Sequence, residues 1–144
     1  MNTVKNENDK HAILEALELN VNEEFRATLQ YICHRISSKG KDELLTESFK
    51  TAALDEMTHI LFFSDLIRKY GGEPHFREWR IDKSNDLKVM IETDLQLEIA
   101  AKQRYKSQLE KFKDYPELTN LIKSVLDDEE EHENSLKRYI RELS

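Results

Sequence analysis

The chain has 144 residues, of which 35% are charged, and its 29 acidic against 22 basic side chains leave a net charge of -7. That balance fits a soluble protein without a nucleic-acid-binding surface, and the length fits one domain over residues 1–144 with a single substantial core. The tail from Met1 to Lys10 mixes Lys5 and Lys10 with Glu7 and Asp9, so it reads neither as a basic arm nor as a signal peptide. The longest strongly apolar run, Ile60 to Phe63, is far too short to span a bilayer, and a cytoplasmic location is expected. Cys33 is the only cysteine, which excludes an internal disulfide and predicts a buried helix residue in a reducing compartment.

Three glycines and two prolines divide the sequence into four helical stretches. The first runs from about Asp9 to Ser38 and stops at Gly40. The second starts near Asp42 and ends at Gly71-Gly72, with Pro74 just beyond. A third follows Ser84-Asn85-Asp86 and reaches about Lys113. The fourth opens at Tyr115-Pro116-Glu117, with proline in the first turn where its missing N–H costs nothing, and runs nearly to Ser144. Each is close to 29 residues, or about 43 Å. No strand pattern competes.

The connections predict the topology. Helices one and two are joined by a few residues, as are three and four, so each pair forms an antiparallel hairpin. The link from about Gly71 to Lys83 can stretch roughly 43 Å, the full height of a bundle, so helices two and three can run parallel. The expected fold is an all-α, ferritin-like four-helix bundle with one long crossover. His75, Phe76 and Trp79 in that link are expected to cover the side of the bundle rather than to bind anything.

At spacings of three and four, the inward stripe of the first helix is Leu14, Leu17, Val21, Glu24, Thr28 and Tyr31. The second gives Leu45, Phe49, Ala52, Glu56, His59, Phe63 and Ile67. The third gives Leu87, Ile91, Asp94, Glu98, Ala101, Tyr105, Leu109 and Phe112, and the fourth Leu118, Ile122, Val125, Glu129, His132, Leu136 and Tyr139. A carboxylate interrupts each apolar stripe about 14 residues from its helix start, which puts all four at mid-height. Neighbouring Glu130, Glu131 and Glu133 fall largely on other faces, where solvent contact is expected. One Glu-x-x-His alone is weak evidence, since such a pair is often solvated surface. Here Glu56-x-x-His59 recurs as Glu129-x-x-His132, 73 residues on, while Glu24 and Glu98 lie 74 residues apart. The sequence thus carries two copies of one half-site.

Four glutamates buried together would repel one another and lose hydration, at several kcal/mol per ion, unless protons or cations intervene. Two divalent ions match the four charges, and two imidazoles complete a shell suited to iron or manganese, with zinc less characteristic. The catalytic and metal candidates are therefore Glu24, Glu56, His59, Glu98, Glu129 and His132. Asp94 reads as an acceptor orienting a histidine N–H or as a capped polar core residue. Tyr31 and Tyr105 read as hydrogen-bond donors or one-electron donors near the site, or as plain packing.

These residues resemble the ferritin-like di-iron carboxylate proteins, and bacterioferritin most closely. The likeness runs from Glu24-Phe-Arg-Ala-Thr-Leu-Gln-Tyr31 through Asp55-Glu-Met-Thr-His59 and Asp94-Leu-Gln-Leu-Glu98 to Leu126-Asp-Asp-Glu-Glu-Glu-His132. It implies that Glu24 with His59 serves one iron, Glu98 with His132 the other, and that Glu56 and Glu129 bridge them. It further implies a ferroxidase that oxidises Fe2+ with O2 or peroxide for iron storage or detoxification, in a homo-oligomer that is at least a dimer and in bacterioferritins a cage. Met57 occupies the position at which bacterioferritins offer a methionine to haem b across a dimer two-fold. Being next to Glu56 it points about 100° away, out of the bundle; interface packing is its other reading. Bacterioferritin has a short fifth helix where this sequence stops after the fourth, which leaves the assembly size open. Thr51 stands where bacterioferritin can carry an iron-binding histidine. The other readings are a rubrerythrin-like peroxide-reducing protein, for which no Cys-x-x-Cys module is present, and a non-enzymatic Dps-like shell subunit, for which positive charge is lacking.

Overall fold

The computed structural model describes residues 4–143, so the outermost positions of the expected 1–144 domain lie outside the described residues. Four helices account for most of it: α1 (Glu7–Ser38), α2 (Glu43–Lys69), α3 (Leu87–Lys111) and α4 (Pro116–Leu143). Among the described residues there is no strand. Each start has a local cause. Asn6, Asp42 and Asp86 accept hydrogen bonds from the first-turn amides of Asp9, Leu45, and Lys88 and Val89, a cap that stabilises a helix by about 1 kcal/mol. The cap at Asn6 starts α1 two residues earlier than the sequence pattern suggests. Pro116 stands at the first position of α4.

α2 ends in a Schellman turn, in which Gly72 N donates to Ile67 O at 2.8 Å and Gly71 N to Arg68 O at 3.0 Å. Gly71 takes the left-handed conformation this needs, with φ 89°. Gly72 is closely packed, because a Cβ there would lie 2.9 Å from Leu14 Cδ2 and displace that side chain.

The core falls into two apolar clusters, and their membership fixes the helix directions. One joins Ile13, Leu17 and Val21 of α1 to Phe63 and Ile67 of α2, Ala101 and Tyr105 of α3, and Ile122 and Val125 of α4. The other joins Tyr31, Phe49, Ala52, Met90, Ile91 and Leu136. The early part of α1 thus meets the late parts of α2 and α3 and the early part of α4, so α2 and α3 run parallel, as the long link predicts. Glu24, Glu56, Glu98 and Glu129 lie between the two clusters.

The crossover is tied to α1 by two buried amides. Asn22 Nδ2 donates to His75 O at 2.9 Å while its Oδ1 accepts from Arg77 N at 2.7 Å, and Gln30 makes the same double contact with the backbone of Asp82. These bonds satisfy backbone groups that an irregular segment leaves open. Phe76 meets Phe25 edge-on, the guanidinium groups of Arg26 and Arg77 each lie about 5 Å from the centre of the Trp79 ring, and exposed His75 pairs with Glu18. Several positions differ from the stripe reading. Cys33 is only half-buried, as are Leu14, Leu87, Leu109 and Tyr139, because they sit on flanks where a neighbouring helix covers one side. Glu133 is buried rather than solvated, paired with Lys102 at 3.0 Å and Lys137 at 2.6 Å. No described helix is long and apolar enough to cross a membrane.

Candidate metal centre

At mid-height the four helices bring six side chains to one place. Glu24, Glu56, Glu98 and Glu129 are each at most 1% exposed, and His59 and His132 are 2% and 8% exposed. Their donor atoms form two overlapping sets, Glu24-Glu56-His59-Glu129 and Glu56-Glu98-Glu129-His132, each within 4.8 Å. Glu56 and Glu129 belong to both sets. His59 Nδ1 lies 3.2 Å from Glu24, 3.5 Å from Glu56 and 3.7 Å from Glu129; His132 Nδ1 lies 3.3, 3.4 and 3.6 Å from Glu98, Glu56 and Glu129.

The opposite ring nitrogens show why the histidines face this way. His59 Nε2 is 2.8 Å from Asp128 Oδ2, and His132 Nε2 is 2.8 Å from Asp55 Oδ2. A carboxylate accepts, so Nε2 donates its proton there and Nδ1 faces the glutamates, where it could offer a lone pair to a cation that takes the place of its own proton. The support crosses between halves, because Asp55 before Glu56 holds His132 of α4 and Asp128 before Glu129 holds His59 of α2. Sequence reasoning missed both residues. Their signal was present, since the repeat reads Asp55-Glu56-x-x-His59 and Asp128-Glu129-x-x-His132.

Tyr31 Oη donates to Glu98 Oε1 at 2.6 Å and Tyr105 Oη to Glu24 Oε1 at 2.7 Å, again related by the repeat. Asp94 does accept from a histidine, at 2.7 Å, but from His34 rather than from His59 or His132. Four residues before Glu98, Asp94 is level with the last part of α1, so His34 is the imidazole within its reach.

The electrostatics of the bare cluster demand positive charge. Burial pushes Glu56 well above the usual carboxylate range, and Glu129, Glu24 and Glu98 push it further. Glu98 rises to about 8 through burial and Glu129, against the opposing pull of His132 and Tyr31. Burial would also raise Glu24, but the nearness of Glu56, hydrogen bonds from His59 and Tyr105 and the attraction of His59 hold it at about 2. Burial lowers both imidazoles, yet carboxylates overcome it: Glu24, Glu129 and Asp128 raise His59 to about 9, while Asp55, Glu129 and Glu98 raise His132 to about 12. Both oxygens of Glu56, Glu98 Oε2, Glu129 Oε1 and His132 Nδ1 are buried without a hydrogen bond. Native interiors rarely leave such atoms unpartnered, and a mixed carboxylate and imidazole set of this kind fits two divalent ions of the iron or manganese type. A surface cavity of about 260 Å³ between α2 and α4, lined in part by Thr51, Asp55, Tyr31 and His132, reaches the edge of the site.

An all-α bundle with a single crossover and a duplicated carboxylate-histidine cluster at its centre defines the class of ferritin-like carboxylate proteins. The model of the ferritin-like domain matches residues 14–144, and the chain belongs to that family. Among solved structures, a bacterioferritin of Desulfovibrio desulfuricans with a diiron site is 25% identical, with TM-score 0.87 over 96% of this chain and 84% of that one. A ferritin-like diiron-carboxylate protein of Bacillus anthracis is 24% identical, with TM-score 0.84 over 91% and 96%. A dodecameric, bacterioferritin-related thioferritin of Bacteroides fragilis is 22% identical, with TM-score 0.83 over 93% and 87%. No curated protein sequence matches the chain.

Proposed function

We propose that the cluster is a two-iron centre of bacterioferritin type, which binds Fe2+ and oxidises it with O2 or peroxide for storage or detoxification. Glu24 and His59 would hold one ion, Glu98 and His132 the other, and Glu56 and Glu129 would be shared. The observation that carries this reading is the overlap of two donor sets at those two glutamates, with buried oxygens left unpartnered. Iron bound there supplies the electrons that reduce the oxidant. The chain's own part is to hold and orient. Asp55 and Asp128 aim the Nδ1 lone pairs inward, Tyr31 and Tyr105 fix one oxygen each of Glu98 and Glu24, and Phe49 and Phe63 belong to the dry clusters on either side. Aerobic titration with Fe2+ should give stoichiometric oxidation with a break near two irons per chain, and Glu129→Ala should abolish the fast phase. No break would refute the activity, and peroxide consumption faster than O2-driven oxidation would instead favour a peroxide-reducing protein.

The bacterioferritin relationship also supports a homo-oligomer, at least a dimer. Leu54, Met57, Leu61 and Phe62 form an exposed apolar stripe on α2, with Met57 45% exposed, and a second copy of the chain would cover it. There the Met57 thioether would be available to haem b. Protein purified with haem available should show a Soret band that Met57→Leu removes; colourless protein under those conditions would refute the haem site.

A further inference from the structure

The metal centre is duplicated, but the surface between α1 and α3 on either side of it is not. The 74-residue offset that relates Glu24 to Glu98 also relates Gln30 to Arg104, Cys33 to Ser107 and His34 to Gln108, and on the facing helix it relates Ala12 to Asp86 and Ala16 to Met90. At the Gln30 end the crossover backbone lies against α1. Gln30 Nε2 donates to Asp82 O at 2.7 Å, Gln30 Oε1 accepts from Asp82 N at 3.0 Å, and Cys33 Sγ lies 3.9 Å from the same carbonyl. Met90 is fully buried there. At the Arg104 end the matching space is a cavity of about 490 Å³, lined in part by Ala12, Ala16 and Leu19 of α1 and by Arg104, Gln108 and Phe112 of α3. It exists because Ala16 is small where Met90 is large, and because no crossover passes this end of the bundle.

The cations at this cavity lack counter-charges. Arg104 is half-buried and held in place: its Nε donates to Asn20 Oδ1 at 3.3 Å, and its guanidinium lies 4.8 Å from the centre of the Tyr105 ring. Asn20 is itself fixed by two amide hydrogen bonds with Gln108, each 2.8 Å. Glu23 and Glu24 attract Arg104 from a distance, yet among the described residues it forms no ion pair. Lys111, two turns further along α3, also lines the cavity and forms none. In a chain whose acids outnumber its lysines and arginines by 29 to 22, two unpaired cations on one cavity suit an anion. The acid on its rim, Glu15, faces His11 at 3.5 Å.

We infer that this cavity binds a small monocarboxylate with a straight apolar chain, its head on Arg104 and its chain between α1 and α3. A guanidinium offers paired N–H groups that match a carboxylate, whereas the Gln30 amide in the other half matches a peptide group. Glu15, Glu23 and Glu24 disfavour a dianion such as a phosphate ester. The chain would run from Arg104 past Ala16 and Ala12 to Phe112, a distance of about 12 Å along α3. Lys111 adds attraction at the far end without fixing the head, since its stem is exposed and flexible.

Calorimetric titration of the purified protein with octanoate tests this. One site per chain is expected, with affinity rising about fourfold per methylene from butyrate to octanoate as each group leaves water. Arg104→Gln copies the residue of the other half and should weaken binding about 10–100-fold. Octan-1-ol has the same chain without the charge and should lose a similar factor. Ala16→Leu fills the cavity and should remove binding while keeping the helical circular dichroism of the wild type. No saturable binding by the wild type would overturn the inference, and so would equal binding by Arg104→Gln or equal affinity for octanol and octanoate. Binding that survives Ala16→Leu would place the ligand elsewhere, as on the exposed stripe of α2, and would overturn it too.

Discussion

Replacing Glu98 with glutamine in the metal-free protein isolates the electrostatic cost of the cluster. The carboxyl is 1% exposed and rises from 4.5 to about 8, because burial and Glu129 disfavour its charge more than His132 and Tyr31 favour it. A folded-state value above the unfolded one means that the folded protein prefers the proton. Stability from this group is therefore full below about pH 4.5 and is lost as pH rises through about 8. At about 1.4 kcal/mol per pH unit, the loss approaches about 5 kcal/mol well above pH 8. Glu98→Gln keeps an acceptor for Tyr31 and removes the charge, so it should match the wild type near pH 5 and exceed it by several kcal/mol at pH 9. The assay is denaturant unfolding of chelator-treated protein across that range. Added Zn2+ should reverse the order, stabilising the wild type and leaving the variant with little gain. Parallel stability curves from pH 5 to 9, or equal stabilisation by metal, would refute the reasoning.

Asp128→Asn and Asp55→Asn should each weaken metal binding by about 10–100-fold, measured by calorimetric titration, because the histidine held from the other helix loses its orienting acceptor. Gly72→Ala places a methyl group against Leu14 and should cost about 1–3 kcal/mol of unfolding free energy, whereas Gly40→Ala has open space around it and meets only the left-handed φ of 83°. Asn22→Ala leaves the backbone of His75 and Arg77 unpaired and should speed amide exchange in the crossover, with a stability loss of about 1–3 kcal/mol.

The helices and the crossover were legible because their signals are local. Asp42, Asp86 and Pro116 mark starts, Gly71 marks a stop, and the link between α2 and α3 is long enough to let them run parallel. Glu24, Glu56, Glu98 and Glu129 were legible because each interrupts an apolar stripe at the same height. What lies outside the stripes was harder to read. Asp55 and Asp128 flank the inward face and reach a histidine on another helix, a relation that only the packed bundle creates. Glu133 looked solvent-facing until Lys102 of α3 covered it. His34 and Gln30 have ordinary helical positions, and their importance comes from Asp94 and the crossover backbone lying opposite them.

Metal position is the most direct test of the two-ion centre. Crystals of the protein soaked with Fe2+ under anaerobic conditions, measured at the iron absorption edge, should give two anomalous peaks per chain at mid-height. One should be bounded by Glu24 and His59, the other by Glu98 and His132, with Glu56 and Glu129 between them. A single peak, or iron confined to the surface carboxylates around Glu47 and Glu131, would contradict it.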